Sequence, residues 1–254
     1  MNDVSKMPVF VHAAAFVNAR TSGGPSGIRT WNPDGRDVPP DLATFFPEQP
    51  RMARLDRASR FVMAAASLLP GDLPMDPDRA AVVLGSNTGS LDADRVFAAS
   101  LSERPLPAVY ARTLPSIPAA ELAIARRCRG PLMSLVQEGS PGILAIAVAV
   151  GEIASGRCTA ALAGGYDAVE GMAGSGWAFL IVLGSTVSPK AACIDIRREP
   201  RIGNPDPFDA STGPTLQSWM HGSDRIDTLE LHGDVLGSRI RMRLERAPIT
   251  GGIA

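Results

Sequence analysis

The sequence predicts an α/β fold built on a largely buried sheet. Three observations carry this. Residues 80–85 (AAVVLG) and 176–183 (GWAFLIVL) are continuous apolar runs, the pattern of strands buried on both faces. Apolar positions at helical spacing separate such runs. Residues 129–165 pass from a short apolar strand through a Gly/Ser/Pro turn into an Ala/Ile/Val helix and a second strand ending at Gly164-Gly165. Strands alternating with helices indicate a sheet covered by helices.

The chain of 254 residues is long enough to bury a substantial core. Its 25 basic and 26 acidic side chains nearly cancel, so no bulk field recruits nucleic acid or an anionic membrane. A hydrophobic fraction of 45% against 20% charged residues leaves room for an exposed apolar face, and hence for a partner. Cys128, Cys158 and Cys193 are odd in number and scattered, which reads as reduced thiols of a cytoplasmic protein rather than a disulfide framework or zinc site. Neither a metal nor a cofactor is expected. The first seven residues carry no signal sequence. The apolar run 142–154 contains Glu152 and is too short to span a bilayer.

In order, residues 8–18 read as a first strand and 23–50, rich in Gly, Pro and Asp, as an irregular excursion. Residues 55–69 form a helix with Asp56 as its cap. Strand 80–85 leads through Ser86-Asn87-Thr88-Gly89-Ser90 into a helix over 91–101. That turn lacks the spacing of a dinucleotide fingerprint and the lysine of a P-loop, so a plain connection is expected there. Residues 104–118 hold four prolines and predict no regular element. Helix 119–128, strand 132–136 and the central turn follow. Two adjacent strands, 176–183 and 191–197, flank a turn at Ser188-Pro189. The tail reads as a loop (204–213), a helix (214–221), and a hairpin of strands 226–231 and 238–246 turning at His232-Gly233-Asp234. Arg239, Arg241 and Arg243 alternate with Ile240, Met242 and Leu244, a half-exposed strand whose arginine row faces solvent.

Four stretches bear a resemblance: VVLGSNTGSL from Val82, LPSIPAAELAIARRCRGP from Leu114, the central turn with its helix, and AALAGGYDA from Ala160. Together they resemble the N-terminal half of a β-ketoacyl synthase of the thiolase-like fold. The likeness covers residues 8–197 and is ungapped over 114–165. It implies a thiolase-like half, one βαβαβαββ core with a helix-covered sheet, plus a short C-terminal helix and β-hairpin. The chain is expected to be a single domain, 1–254, with the core at 8–198 and an extension at 199–254.

The ungapped register places Gly139 where the synthase keeps its acyl-accepting cysteine, with neighbours Gln137, Glu138 and Ser140. Glycine cannot attack a thioester, so covalent condensation is excluded at this position. The segment that follows the Gly-Gly pair in synthases is mostly deleted, and the half carrying their histidines and lysine has no counterpart. His221 and His232 lie in an unrelated tail. Ser140-Pro141 reads as a helix start, with the serine capping and the proline in first position. Glu138 is expected to be buried or to fill the slot of an acyl chain.

Chain-length factors resemble ketosynthases, lack the cysteine, and pair with an active ketosynthase whose tunnel they shape. Among these the sequence looks most like the short forms of bacterial aryl polyene clusters. The resemblance implies a non-catalytic chain that forms a heterodimer with a full-length β-ketoacyl synthase in polyene, polyketide or fatty-acid-like biosynthesis, with acyl carrier protein as an indirect partner. It puts Ala108, Val109 and Tyr110 at the tunnel end, with Thr113 and Leu114 close by. It puts Leu132, Ser134 and Val136 on an interface strand. Two rival readings are an independent acyl-transfer or hydrolytic enzyme using Ser140, and a homodimeric binding protein on the same scaffold.

Overall fold

The computed structural model describes residues 7–32, 34, 36, 39–41, 54–172, 176–187, 191–200, 212–221, 228–235 and 238–246. Their elements run β1 (Val9–Val17), β2 (Thr21–Gly24), β3 (Gly27–Thr30), α1 (Arg57–Ser67), β4 (Ala80–Ser86), α2 (Leu91–Ser100), α3 (Pro107–Tyr110), α4 (Ile117–Arg126), β5 (Leu132–Val136), α5 (Pro141–Ala154), β6 (Ala160–Asp167), β7 (Trp177–Gly184), β8 (Ala192–Pro200), α6 (Thr212–His221), β9 (Thr228–Val235) and β10 (Ser238–Arg246). The strands join in one sheet of order β5-β4-β6-β7-β1-β8-β10-β9, with the β2–β3 hairpin branching from β1. Strand β4 is parallel to β5 and β6. The remaining neighbours are antiparallel.

Helices cover both faces. On one, Phe61, Val62 and Met63 of α1 and Leu122 of α4 pack against Ala13, Ala15, Leu180 and Val182. On the other, Ile143, Ile146 and Ile153 of α5 and Leu216 and Trp219 of α6 pack against Val83, Phe179, Ile181, Met242 and Leu244. Burying each such side chain contributes roughly 1.5–3 kcal/mol. The C-terminal hairpin is thus part of the same apolar cluster as α5. Helix α1 starts at Asp56, whose carboxylate accepts the Ser59 N–H at 2.7 Å. It stops where Arg126 of α4 donates to the carbonyls of Ala66, Leu69 and Pro70.

Several expectations are corrected. The excursion after β1 opens with the β2–β3 hairpin, because the Asn18 side chain accepts from Arg20 N–H, Thr21 N–H and Thr21 Oγ1 and tightens the turn into β2; residues 42–50 lie outside the described residues. The proline loop contains the one-turn α3, with Pro107 preset at its first position. Strands β7 and β8 are not adjacent, since β1 lies between them; the turn expected at Ser188-Pro189 lies outside the described residues, as do 204–211. Residues His232-Gly233-Asp234 are not a turn but part of β9, opposite Arg241, Ile240 and Arg239. Ile240 and Leu231 supply the apolar side chains that keep both strands extended over the core. The arginine row is ion-paired, with Arg239–Asp234 at 3.5 Å, Arg241–Glu199 at 2.9 Å and Arg243–Glu245 at 2.7 Å.

The strict alternation of β1 is broken at His12. Val9 and Val11 face α5 and α6, as do Ala14 and Phe16, whereas Ala13, Ala15 and Val17 face α1. The register with β7 shifts between Val11 and Ala13, so His12 is the extra residue of a β-bulge.

Candidate functional site

The turn from Gln137 to Gly142 joins the end of β5 to the start of α5. Gln137 N–H donates to Ser86 O at 3.2 Å, which ties the turn to the end of β4. Gly139 sits at φ +95°, where a side chain is strained. Pro141 is the first residue of α5, and Ser140 O accepts the Leu144 N–H at 3.1 Å. The helix start can lie this close to the sheet because β4 carries Gly85 near its end: a Cβ there would meet Pro141 O at 2.0 Å.

Ser140 is 1% exposed and stands at the N-cap position, but its side chain does not cap the helix. Strand β9 crosses the turn and takes it instead. Asp234 N–H donates to Ser140 Oγ at 3.2 Å, and Ser140 N–H donates to Asp234 O at 2.9 Å. Among the described residues no imidazole, amine or carboxylate is hydrogen-bonded to Ser140 Oγ. Glu138 is exposed, not buried. Gln137 is half-buried, and its Nε2 finds no hydrogen-bond partner among the described residues.

The turn after β4 holds an anion of the chain's own. The buried Asp167 carboxylate at the end of β6 accepts from Ser86 Oγ (2.8 Å), Asn87 N–H (3.0 Å), Asn87 Nδ2 (2.9 Å), Thr88 N–H (3.0 Å) and Thr88 Oγ1 (2.8 Å). These donors would otherwise suit a phosphate. The expected plain connection is what the geometry provides, and Asp167 is the residue the sequence reading missed. A groove of about 600 Å³ lies between the β2–β3 hairpin and the end of α1, and none of residues 137–142 lines it. Among the described residues no group of His, Cys, Asp and Glu is arranged to hold a metal ion.

Comparison with known proteins bears on this geometry. The family model described as β-ketoacyl synthase, N-terminal domain, matches residues 24–192. The chain belongs to the β-ketoacyl synthase family. A search of the curated proteins found no match. Among solved structures, the chain is similar to the ishigamide ketosynthase/chain length factor, at 19% identity over 76% of this chain and 68% of that one, with a TM-score of 0.57. It is similar to the ketosynthase ApeO in complex with its chain length factor ApeC from Xenorhabdus doucetiae, at 17% identity over 78% and 82%, with a TM-score of 0.56. A β-ketoacyl synthase from Burkholderia phymatum aligns at 14% identity over 95% of this chain and 100% of that one, with a TM-score of 0.62. At these identities the likeness speaks for the fold, which is the thiolase-like synthase fold.

The remaining residues singled out in the sequence lie on β5 and on the proline loop. Strand β5 is an edge of the sheet. Leu132 is 42% and Val136 49% exposed, while Ser134 is half-buried with no hydrogen-bond partner for Oγ among the described residues. On the proline loop, Tyr110 is 61% and Leu114 57% exposed; Ala108 is exposed, and Val109 and Thr113 are half-buried. Contacts that hold the loop include the Phe97 and Tyr110 rings, 5.1 Å apart, and the hydrogen bonds from Leu106 N–H to Ser100 Oγ, from Ser90 Oγ to Thr113 O and from Tyr166 OH to Pro115 O. Val136 and Pro115 both border Gly89, so loop and edge strand meet there. Among the described residues, no hydrogen bond joins this loop to Ser140.

Proposed function

We propose that this chain is a non-catalytic, chain-length-factor-like partner of a full-length β-ketoacyl synthase, acting in polyene, polyketide or fatty-acid-like biosynthesis of the aryl polyene type. The observation that carries this reading is the exposed apolar surface of β5 and the proline loop on a member of a family whose nucleophile position, in the ungapped register, is occupied by Gly139. A free sheet edge with Leu132 and Val136 beside it is a template for strand pairing, and an obligate pair buries roughly 2,000 Å² or more. Leu132, Ser134 and Val136 would lie at the centre of that interface. Ala108, Val109, Tyr110, Thr113 and Leu114 would close the far end of the partner's acyl tunnel, with acyl carrier protein engaging the pair through the synthase. The fold similarity to ketosynthase/chain length factor structures supports the same assignment. The unassisted Ser140 favours it over an enzyme that uses that serine.

The test is incubation of the purified chain, alone and with its synthase, with a malonyl or acyl thioester of pantetheine. Intact mass should show the acyl group on the synthase and never on this chain. Stable acylation of Ser140 would overturn the reading in favour of an independent acyl-transfer or hydrolytic enzyme.

A further inference from the structure

We infer that strand β9 is a built-in plug: the backbone of Gly233 and Asp234 occupies the place in which an acyl carbonyl would have to sit, so the chain excludes acyl groups by its own fold and not only by the loss of a thiol. The inference rests on the reading of Gly139 as the counterpart of the synthase cysteine. The N-terminal amides of a helix are unsatisfied donors, suited to a carbonyl oxygen that gains negative charge. At the start of α5 one such donor is the Ser140 N–H, the one next to Gly139, and it is taken by Asp234 O at 2.9 Å. The return bond, Asp234 N–H to Ser140 Oγ at 3.2 Å, occupies the hydroxyl as well. Both polar groups that Ser140 could offer a thioester are used by one residue of the tail.

The two backbones meet where both lack side chains. A Cβ on Gly139 would lie 2.4 Å from Asp234 O, and a Cβ on Gly233 would lie 2.7 Å from Ser140 Cβ and 2.9 Å from Ile143 Cβ. Glycine at 139 therefore does two things: it removes the nucleophile and it admits the strand that covers the nucleophile's place. Strand β9 cannot drift off independently. It pairs with β10 from Val235 opposite Ser238 to Thr228 opposite Glu245, and Ile240, Met242 and Leu244 of β10 are buried in the cluster that contains Ile143. The plug is thus anchored in the same apolar core as the helix it closes.

A buried thiol probe tests this on the full chain. Ser140→Cys keeps the shape of the side chain at a position without left-handed backbone, and alkylation of the introduced thiol by iodoacetamide reports how often β9 lifts. Burial raises the pKa of all three native thiols, that of Cys128 to about 11, so the parent chain labelled in parallel gives a low background. The expected result is alkylation at position 140 of the folded Ser140→Cys chain at least about 100-fold slower than in denaturant. Adding Gly233→Ala, whose Cβ must push Ser140→Cys and Ile143 aside, should raise the rate by about ten-fold or more. Alkylation of the introduced thiol in the native chain at the unfolded rate, or no change with Gly233→Ala in a folded chain, overturns the plug. Should Gly233→Ala fail to fold, hydrogen exchange on the unaltered chain decides: the amides of Ser140 and Asp234 must be protected together, and unprotected exchange at either overturns it. None of these readouts involves the synthase. A protected thiol in Ser140→Cys without a hetero-complex would refute the proposed partnership alone, and a reactive one within a hetero-complex would refute the plug alone.

Discussion

Placing a thiol on the turn by Gly139→Cys should neither give a working enzyme nor leave the fold untouched. The backbone at φ +95° costs a non-glycine residue about 1–3 kcal/mol. The new Cβ would lie 2.4 Å from Asp234 O, an atom held at 2.9 Å by the Ser140 N–H. Relieving the overlap sacrifices that bond, worth about 0.5–1.5 kcal/mol net. Together these give a destabilisation of about 1.5–4.5 kcal/mol, which for a chain of this size lowers Tm by roughly 3–18 °C. Calorimetry of Gly139→Cys beside Gly139→Ala separates the thiol from the backbone effect, and the two should melt alike. Intact mass of Gly139→Cys after exposure to an acyl-pantetheine thioester should show no acyl group on the introduced thiol. A Gly139→Cys chain that melts within about 1 °C of the parent and takes up an acyl group would refute the geometry argued for this turn.

The other predictions concern separate parts of the molecule. Val136→Asp, at a half-exposed edge position, should leave stability within about 0.5 kcal/mol of the parent yet weaken the complex with the synthase by at least about 100-fold, read by titration calorimetry. Val109→Trp should shorten the product of the reconstituted pair while the synthase's own acylation is unchanged; an unaltered product length would remove the loop from the tunnel. Asp167→Ala strands five donors in the turn after β4 and should cost about 3–5 kcal/mol in urea unfolding, with Asp167→Asn intermediate. For Glu152, the hydrogen bond from Arg157 holds the buried carboxyl below the usual carboxylate range against the opposing effect of burial. Because the folded-state pKa is the lower one, the stabilisation is present above the unfolded value and is lost as pH falls through the folded one. The stability difference between the parent and Glu152→Gln should therefore be full at pH 7 and shrink below about pH 4.5.

Much of the fold was legible because its strands are unambiguous. The runs at 80–85 and 177–183 have no polar residue to suggest a helix face, and Asp56 and Pro141 mark helix starts by chemistry that depends only on local sequence. What stayed hidden is non-local. The bulge at His12 reverses which residues of β1 face which helix, yet the residues on either side of it are apolar and give no sign of the switch. The insertion of β1 between β7 and β8 is a matter of topology, and neighbouring strands in sequence gave the wrong pairing. His232-Gly233-Asp234 has turn composition, but its glycine serves a close approach to Ser140 and Ile143 rather than a bend. The same contact explains why Ser140, a sound cap by sequence, bonds outside its own helix. At the turn, the close approach of Asp234 to Gly139 and Ser140 was hidden because it comes from the tail, 94 residues downstream of Ser140. Asp167 follows a Gly-Gly-Tyr stretch that gives no hint of five donors waiting in the turn after β4.

Partnership with a ketosynthase is read from the mass of the assembled species. The chain should be co-expressed with full-length ketosynthases and analysed by size-exclusion chromatography with light scattering. A stable particle containing one copy of this chain and one of the synthase, lost with Val136→Asp, is the predicted result. A chain that elutes alone as a monomer or homodimer beside an intact synthase homodimer would rule out the partnership.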